Sequence, residues 1–332
     1  MKECIVSICC LTYNHAPYIR ECLEGFLAQQ TSFVYEILIH DDASTDDTID
    51  IIKEYEAKYP DLIKPIYQTE NQYSKGTKIS ATFQFPRVQG RYIAICEGDD
   101  YWVDPLKLQK QVDFLTSHPD YGLVHTGYKQ YTQKEKKFDQ TTIAVSEGDV
   151  FAPLIRENFI ASLTVMFRIE WAHKAKEAGI FIPQFKMGDY PLWLYIAKHT
   201  KIGYIDDITS VYRILEESAS HFKSPYPGFL FEQSVWEIRY FFCEEQALKQ
   251  DLERQEKGYY QEQMYLSLFL NDRKLAGAVH AFWKKKGELR SRQVLCYWGV
   301  KYPFFRSLVL RKFAKKRKEV EVLLKRYDFE GD

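Results

Sequence analysis

Two rhythms of apolar residues alternate along the chain as far as Leu115. Ile5 to Leu11 is apolar apart from Ser7, as in a strand buried on both faces, and Asn14 and Pro17 follow it as helix-start residues. Ile19, Cys22, Leu23, Phe26 and Leu27 then recur on one helical face. Tyr35 to His40 is a second short run, ending in the polar cluster Asp41 to Asp47, after which Ile49, Ile52 and Tyr55 again keep helical spacing. Leu62 to Tyr67 and Arg91 to Cys96 predict further strands, the latter introduced by Gly90, and Asp104-Pro105 opens a helix carrying Leu108, Val112 and Leu115.

Strand and helix in alternation predict an α/β fold with a mostly parallel sheet and helices on both faces, in which ligands sit beyond the carboxyl ends of the strands. Both acidic clusters of this region lie at such ends. From Tyr121 onward the pattern is mixed, with strands expected at Gly122 to Thr126, Leu163 to Phe167 and Val211 to Ile214, and a helix at Pro191 to Ala197. Beyond Glu216 the chain becomes aromatic-rich and helical, with a break expected at Ser224-Pro225-Tyr226-Pro227-Gly228. The expected organisation is one domain over 1–215, in two halves that divide at about 127, and a basic helical appendage over 216–332.

Composition adds limits. With 45% hydrophobic and 27% charged residues the chain is that of an ordinary folded protein. No stretch approaches the run of about 20 apolar residues that crosses a bilayer, and the amino terminus lacks a basic leader with a cleavage site, so a cytoplasmic protein is expected. The seven cysteines are scattered without a CxxC pair, which argues against a disulfide framework or a zinc knuckle. The net charge of −1 conceals an asymmetry: Trp283 to Arg326 holds 15 Lys and Arg against three Glu, a local balance of +12. Trp298, Tyr302, Phe304, Phe305, Leu308, Leu310 and Phe313 lie among those cations. Such a segment fits either an anionic membrane surface or a packed helix with a solvated face; no nucleic-acid-binding motif accompanies it, and nucleic acid is not an expected partner.

The chemistry centres on Glu97-Gly98-Asp99-Asp100. Three carboxylates in four residues repel one another, and a divalent cation such as Mg2+ or Mn2+, held by one or two of them with water and phosphate oxygens, would relieve that repulsion. The alternative is a solvated acidic turn capping the next helix. Asp41-Asp42-Ala43-Ser44-Thr45-Asp46 likewise suits a helix cap, although capping leaves the paired Asp41 and Asp42 unexplained.

These segments, together with Val6 to Asn14 and Gly90-Arg91-Tyr92-Ile93, resemble family 2 glycosyltransferases of the GT-A fold, in which a Rossmann-like mixed sheet is flanked by helices. The resemblance covers about residues 4 to 215 and is dense to about 127. It implies a nucleotide-sugar donor, UDP in the first instance with GDP and dTDP as alternatives, and inverting hexosyl or N-acetylhexosaminyl transfer to a glycan or lipid-linked acceptor in bacterial surface polysaccharide synthesis. By the same resemblance Thr12, Tyr13 and Asn14 line the base pocket and Asp42 contacts base or ribose. Asp99 and Asp100 belong to the metal-binding acidic motif, with Glu97 standing where the family usually has Asp, and Ala43 replaces a customary Gly. Asp189, in Met187-Gly188-Asp189-Tyr190-Pro191-Leu192-Trp193, falls where the family carries its catalytic base, although it also suits a helix N-cap before Pro191. Arg213 falls near the donor phosphates, with His221 as a weaker candidate.

Two rivals are weighed against this reading. A sugar-1-phosphate nucleotidyltransferase would carry a glycine-rich basic loop where this chain has Thr12-Tyr13-Asn14-His15-Ala16-Pro17. A noncatalytic nucleotide-sugar or glycan-binding module would have no use for both Asp99-Asp100 and Asp189. The aromatic helices after Phe229 offer surface for a homodimer.

Overall fold

The computed structural model describes residues 3–139, 145–215, 222 and 224–327. The chain divides into two compact units, 1–215 and 216–332.

In the first unit the apolar run near the amino terminus is strand β1 (Cys4–Thr12), whose Val6, Ile8 and Cys10 are fully buried and whose Cys9 is nearly so. Burial of alternating and intervening positions alike explains why this strand shows no period-two pattern. It pairs in parallel with β2 (Val34–Asp41) on one side and β4 (Tyr92–Ile95) on the other, and β2 pairs with β3 (Ile63–Tyr67), also parallel. The other strands are β5 (Tyr101–Trp102), β6 (Tyr121–Thr132), β7 (Lys137–Phe138), β8 (Met166–Arg168) and β9 (Lys201–Ile214). The sheet runs β3-β2-β1-β4-β8-β6-β9-β5, with β7 paired to β6 off this path. It is less parallel than the alternating pattern predicts. β8 is antiparallel to both β4 and β6, and β5 is antiparallel to β9, whereas β6 and β9 are parallel over most of their length.

The helices α1 (Ile19–Leu27), α2 (Thr48–Lys58) and α3 (Lys107–Ser117) bury the faces that the spacing predicts, including Ile19, Cys22, Leu23 and Phe26 of α1 and Leu108 and Leu115 of α3. Close packing of α1 on β5 requires Gly25, because a Cβ there would lie 2.8 Å from the Trp102 carbonyl oxygen. The unit is completed by α4 (Phe151–Arg156), α5 (Ile169–Glu177) and α6 (Tyr190–His199). α4 and α5 escape sequence reading: α4 is short, and neither carries a long apolar period.

The second unit is helical: α7 (Pro225–Phe242), α8 (Gln246–Leu270), α9 (Arg273–Lys285), α10 (Ser291–Lys301), α11 (Pro303–Phe313) and α12 (Glu321–Arg326). Here the expected break at 224–228 is corrected. Pro225 opens α7, and Pro227 and Gly228 lie within its first turn, where a missing N–H has no intrahelical partner to lose. Asn271 ends α8 in the left-handed conformation, and the Asp272 carboxylate accepts the Leu275 N–H at 2.9 Å to start α9. Tyr260, Met264, Leu268, Leu275, Val279 and Trp283 form part of this unit's core, and the Tyr260 and Phe282 rings stack.

Candidate active site

The carboxyl ends of β1, β2 and β4 lie side by side, so the loops that follow Thr12, Asp41 and Ile95 meet along one edge of the sheet. The first two loops are tied to each other. Asn14 sits at φ 55, its backbone N–H donates to Ser44 Oγ at 2.9 Å, and its Oδ1 accepts the Thr45 N–H at 2.7 Å. Asp41 accepts the Ser44 hydroxyl at 2.5 Å and the Ser44 N–H at 3.0 Å. Asp46 accepts the Ala16 N–H at 3.1 Å as well as the Thr48 N–H and hydroxyl. Much of the second acidic cluster therefore shapes its own loop. Asp42 is also engaged: its two oxygens accept the N–H groups of Gln72 at 2.7 Å and Tyr73 at 3.0 Å, holding the segment that follows β3.

Beyond β4 the chain turns tightly at Gly98, whose N–H donates to the Leu11 carbonyl at 2.8 Å. A Cβ at this position would meet Thr12 Oγ1 at 2.8 Å and His15 Nδ1 at 3.0 Å. Both of those atoms are buried and without a hydrogen-bond partner among the described residues. His15 Nε2 lies 3.9 Å from Asp99 Oδ2. Tyr13, in contrast, is 43% exposed, leaving its ring at the surface of the same loop.

Asp100 is buried, and its Oδ1 accepts the Arg213 backbone N–H at 2.7 Å. Arg213, on β9, donates through Nη1 to the Asp99 carbonyl at 2.6 Å and through Nη2 to Glu21, and its guanidinium lies over the rings of Tyr18 and Tyr101. Only 6% exposed, Arg213 is a clamp on the backbone of the acidic segment. Burial raises the Asp100 carboxyl well above the usual range, with Asp99 and Glu97 adding to the rise and Arg213 opposing it.

The Glu97 carboxylate accepts the Ser162 hydroxyl at 2.7 Å. Burial above all, opposed by that hydrogen bond and aided by the charges of Asp189 and Asp99, pushes it up to about 7. Asp99 and Asp189 thus each lie within electrostatic reach of Glu97. Asp189 is the N-cap of α6 and accepts the Tyr190 N–H at 2.8 Å. Burial raises its carboxyl above the ordinary value; the cap hydrogen bonds and the nearby Lys78 ammonium oppose the rise.

Among the described residues no three His, Cys, Asp or Glu side chains are arranged to hold a metal ion by themselves. Asp100 is engaged by Arg213 and Glu97 by Ser162, whereas the Asp99 carboxylate lies 3.9 Å from His15 Nε2. Such a set suits a cation that takes one or two protein carboxylates and completes its shell with water and phosphate. Sequence reasoning missed His15, Glu21, Ser162 and Lys78. His15 adjoins the first motif, whereas the other three reach the site through long-range contacts that leave no local pattern. His221 lies outside the described residues.

A family model described as Glycosyl transferase family 2 matches residues 7–188, more than half of the chain. Over 218 residues the chain is 31% identical to the Escherichia coli UDP-Glc:alpha-D-GlcNAc-diphosphoundecaprenol beta-1,3-glucosyltransferase WfaP, a match that covers 65% of this chain and 80% of that protein. Uncharacterised mycobacterial proteins, including Rv1520 of Mycobacterium tuberculosis, are 40% identical over 166 residues. That match takes in 49% of this chain, which spans about half (46%) of their length. Among solved structures, Staphylococcus aureus TarS 1-349 in complex with UDP-GlcNAc superposes with a TM-score of 0.61 at 18% identity, covering 92% of this chain and 90% of that one. The Pyrobaculum calidifontis mannosyltransferase PcManGT, solved with GDP-Man and Mn2+, gives 0.56 at 16%, covering 93% and 84%. At these identities the two structures speak for the fold, that of GT-A glycosyltransferases.

Proposed function

The chain belongs to glycosyl transferase family 2, and on that footing we propose that it moves a sugar from a UDP-sugar to a hydroxyl of a glycan or lipid-linked saccharide, with inversion at the anomeric carbon. The observation that carries this reading is the acidic turn after β4, held by Arg213 at the Asp99 carbonyl and the Asp100 carboxylate on the sheet edge where the loops after β1 and β2 also end, with the charge of Asp189, at the start of α6, acting on Glu97 of that turn. WfaP, whose name specifies a UDP-glucose donor and a diphosphoundecaprenol-linked acceptor, supports the choice of donor and acceptor class.

In this account Thr12, Tyr13 and Asn14 form the wall of the base pocket, with the exposed Tyr13 ring available for stacking. Asp42 reaches the nucleoside while it holds the Gln72–Tyr73 backbone. Asp99, with Glu97 and Asp100 beside it in the chain, would hold a divalent ion, Mg2+ or Mn2+, which when bound would supply positive charge against the donor diphosphate. Arg213 keeps the Asp99 backbone and the Asp100 side chain in place and so acts on the donor indirectly. Asp189 accepts the proton of the acceptor hydroxyl as that oxygen attacks the anomeric carbon from the face opposite the nucleotide. A carboxyl raised by burial is a stronger base than an ordinary aspartate once it is ionised. The acceptor half, residues 128–215, supplies this base.

Thermal-shift and calorimetric titration with UDP, GDP and dTDP, with and without Mn2+, tests the donor side on wild type and Asp99→Asn. The expected result is stabilisation by UDP that requires Mn2+, since selective binding to the folded state raises its stability by mass action, and its loss in the variant. Equal indifference to all three nucleotides would overturn the proposal.

A further inference from the structure

The basic carboxyl-terminal segment has two readings in sequence, a packed helix and a membrane surface, and its structure divides one from the other by face. Along α10 and α11, Cys296, Val300, Val309 and Phe313 are buried in the second unit. Arg306 turns inward and donates to the Leu268 carbonyl at 2.8 Å, the Phe269 carbonyl at 3.2 Å and Asn271 Oδ1 at 3.0 Å, which fixes how α11 is rotated. The opposite face is left outside. Phe304 is 74% exposed and Leu308 65%, one helical turn apart, and Trp298, Tyr302 and Phe305 are exposed around them. From Leu289 to Lys318 the chain has ten Lys and Arg and no Asp or Glu. Lys301, Arg311, Lys312 and Lys315 are exposed beside the apolar residues.

We propose that the corner formed by α10 and α11 is a membrane-docking surface, inserting Phe304 and Leu308 into the headgroup boundary of an anionic bilayer while the surrounding lysines and arginines bind its phosphates. Trp and Tyr flanking an apolar tip, with cations beside them, are the chemistry of the lipid–water interface. The alternatives fit less well. A second copy meeting this face about a two-fold axis would set the same cationic surface against itself with no acid to answer it. A polyanion without an apolar layer would leave Phe304 and Leu308 in water. The inference stands on the second unit and does not depend on the transfer reaction.

The test is flotation of the full chain with vesicles of phosphatidylcholine alone or with a third phosphatidylglycerol, at low and high salt, for wild type and for Phe304→Glu/Leu308→Glu. Wild type should float with the anionic vesicles, weakly or not at all with neutral ones, and less at high salt. The double variant should lose at least about tenfold in partitioning, since it removes two apolar anchors and adds two charges repelled by the surface. Circular dichroism and an unchanged thermal midpoint establish that the variant is folded. A second measurement needs no destabilising change: brominated lipid should quench part of the wild-type tryptophan emission, and Trp298→Phe should remove that part. Equal flotation of wild type and double variant, binding indifferent to lipid charge, or a dimer that the double substitution dissociates in the absence of vesicle binding would each overturn the proposal.

Discussion

At the scale of single residues, local spacing announces some roles and distant contacts fix others. Asp189 is singled out as a base by the family resemblance and as a cap by Pro191, and the two readings are compatible: Oδ1 accepts the Tyr190 N–H, and the charge of the carboxylate still acts on Glu97. Arg213 is a candidate in sequence for the donor phosphates, yet its guanidinium is occupied by the Asp99 carbonyl and Glu21, which no local pattern reveals. Ala43 stands where the family resemblance anticipates Gly, and its φ of 63 gives the physical reason for a glycine there. An L-residue in the left-handed region carries a cost of roughly 1–2 kcal/mol, and glycine avoids it while losing up to about 1 kcal/mol through a more flexible unfolded chain. Ala43→Gly should therefore be neutral to about 1 kcal/mol more stable in urea denaturation. Ala43→Val should be destabilised by more than that gain, because a β-branched residue is far less tolerant of positive φ.

At the scale of elements, strands and helices with a clear period are predicted to within a few residues, including β1, β2, α1, α2 and α3. The antiparallel insertion of β8 is not, because the period of a strand carries no information about its direction. Nor does sequence anticipate the burial of Lys107 in the first turn of α3. This ammonium group donates to Gln111 Oε1 at 2.7 Å and to the Thr164 carbonyl at 3.4 Å, and lies 4.5 Å from the centre of the Trp102 ring. Burial pulls its pKa down from 10.5 to about 7. Between those values the unfolded chain binds the proton more readily than the folded one, so this group makes stability rise as pH rises above about 7. Urea denaturation at pH 7 and pH 8.5, below the range where most unfolded thiols ionise, should show a gain of roughly 1–2 kcal/mol. Lys107→Met should abolish most of that gain. An identical pH dependence in the two proteins would mean that Lys107 keeps its charge in the fold.

At the scale of the whole molecule, the split between an acidic majority and a basic carboxyl-terminal stretch is visible in charge counts alone, whereas its use depends on which aromatics remain outside the core. The GT-A fold follows from three motifs in order, and the family match extends over the same region. The most direct test of the transferase account is turnover: release of UDP from UDP-glucose and UDP-GlcNAc with Mn2+, compared between wild type and Asp189→Asn at equal nucleotide occupancy. The account predicts that the variant binds UDP within about threefold of wild type and releases product at least about a hundredfold more slowly, the scale of a lost general base. Undiminished turnover in Asp189→Asn, with UDP affinity intact, would contradict it.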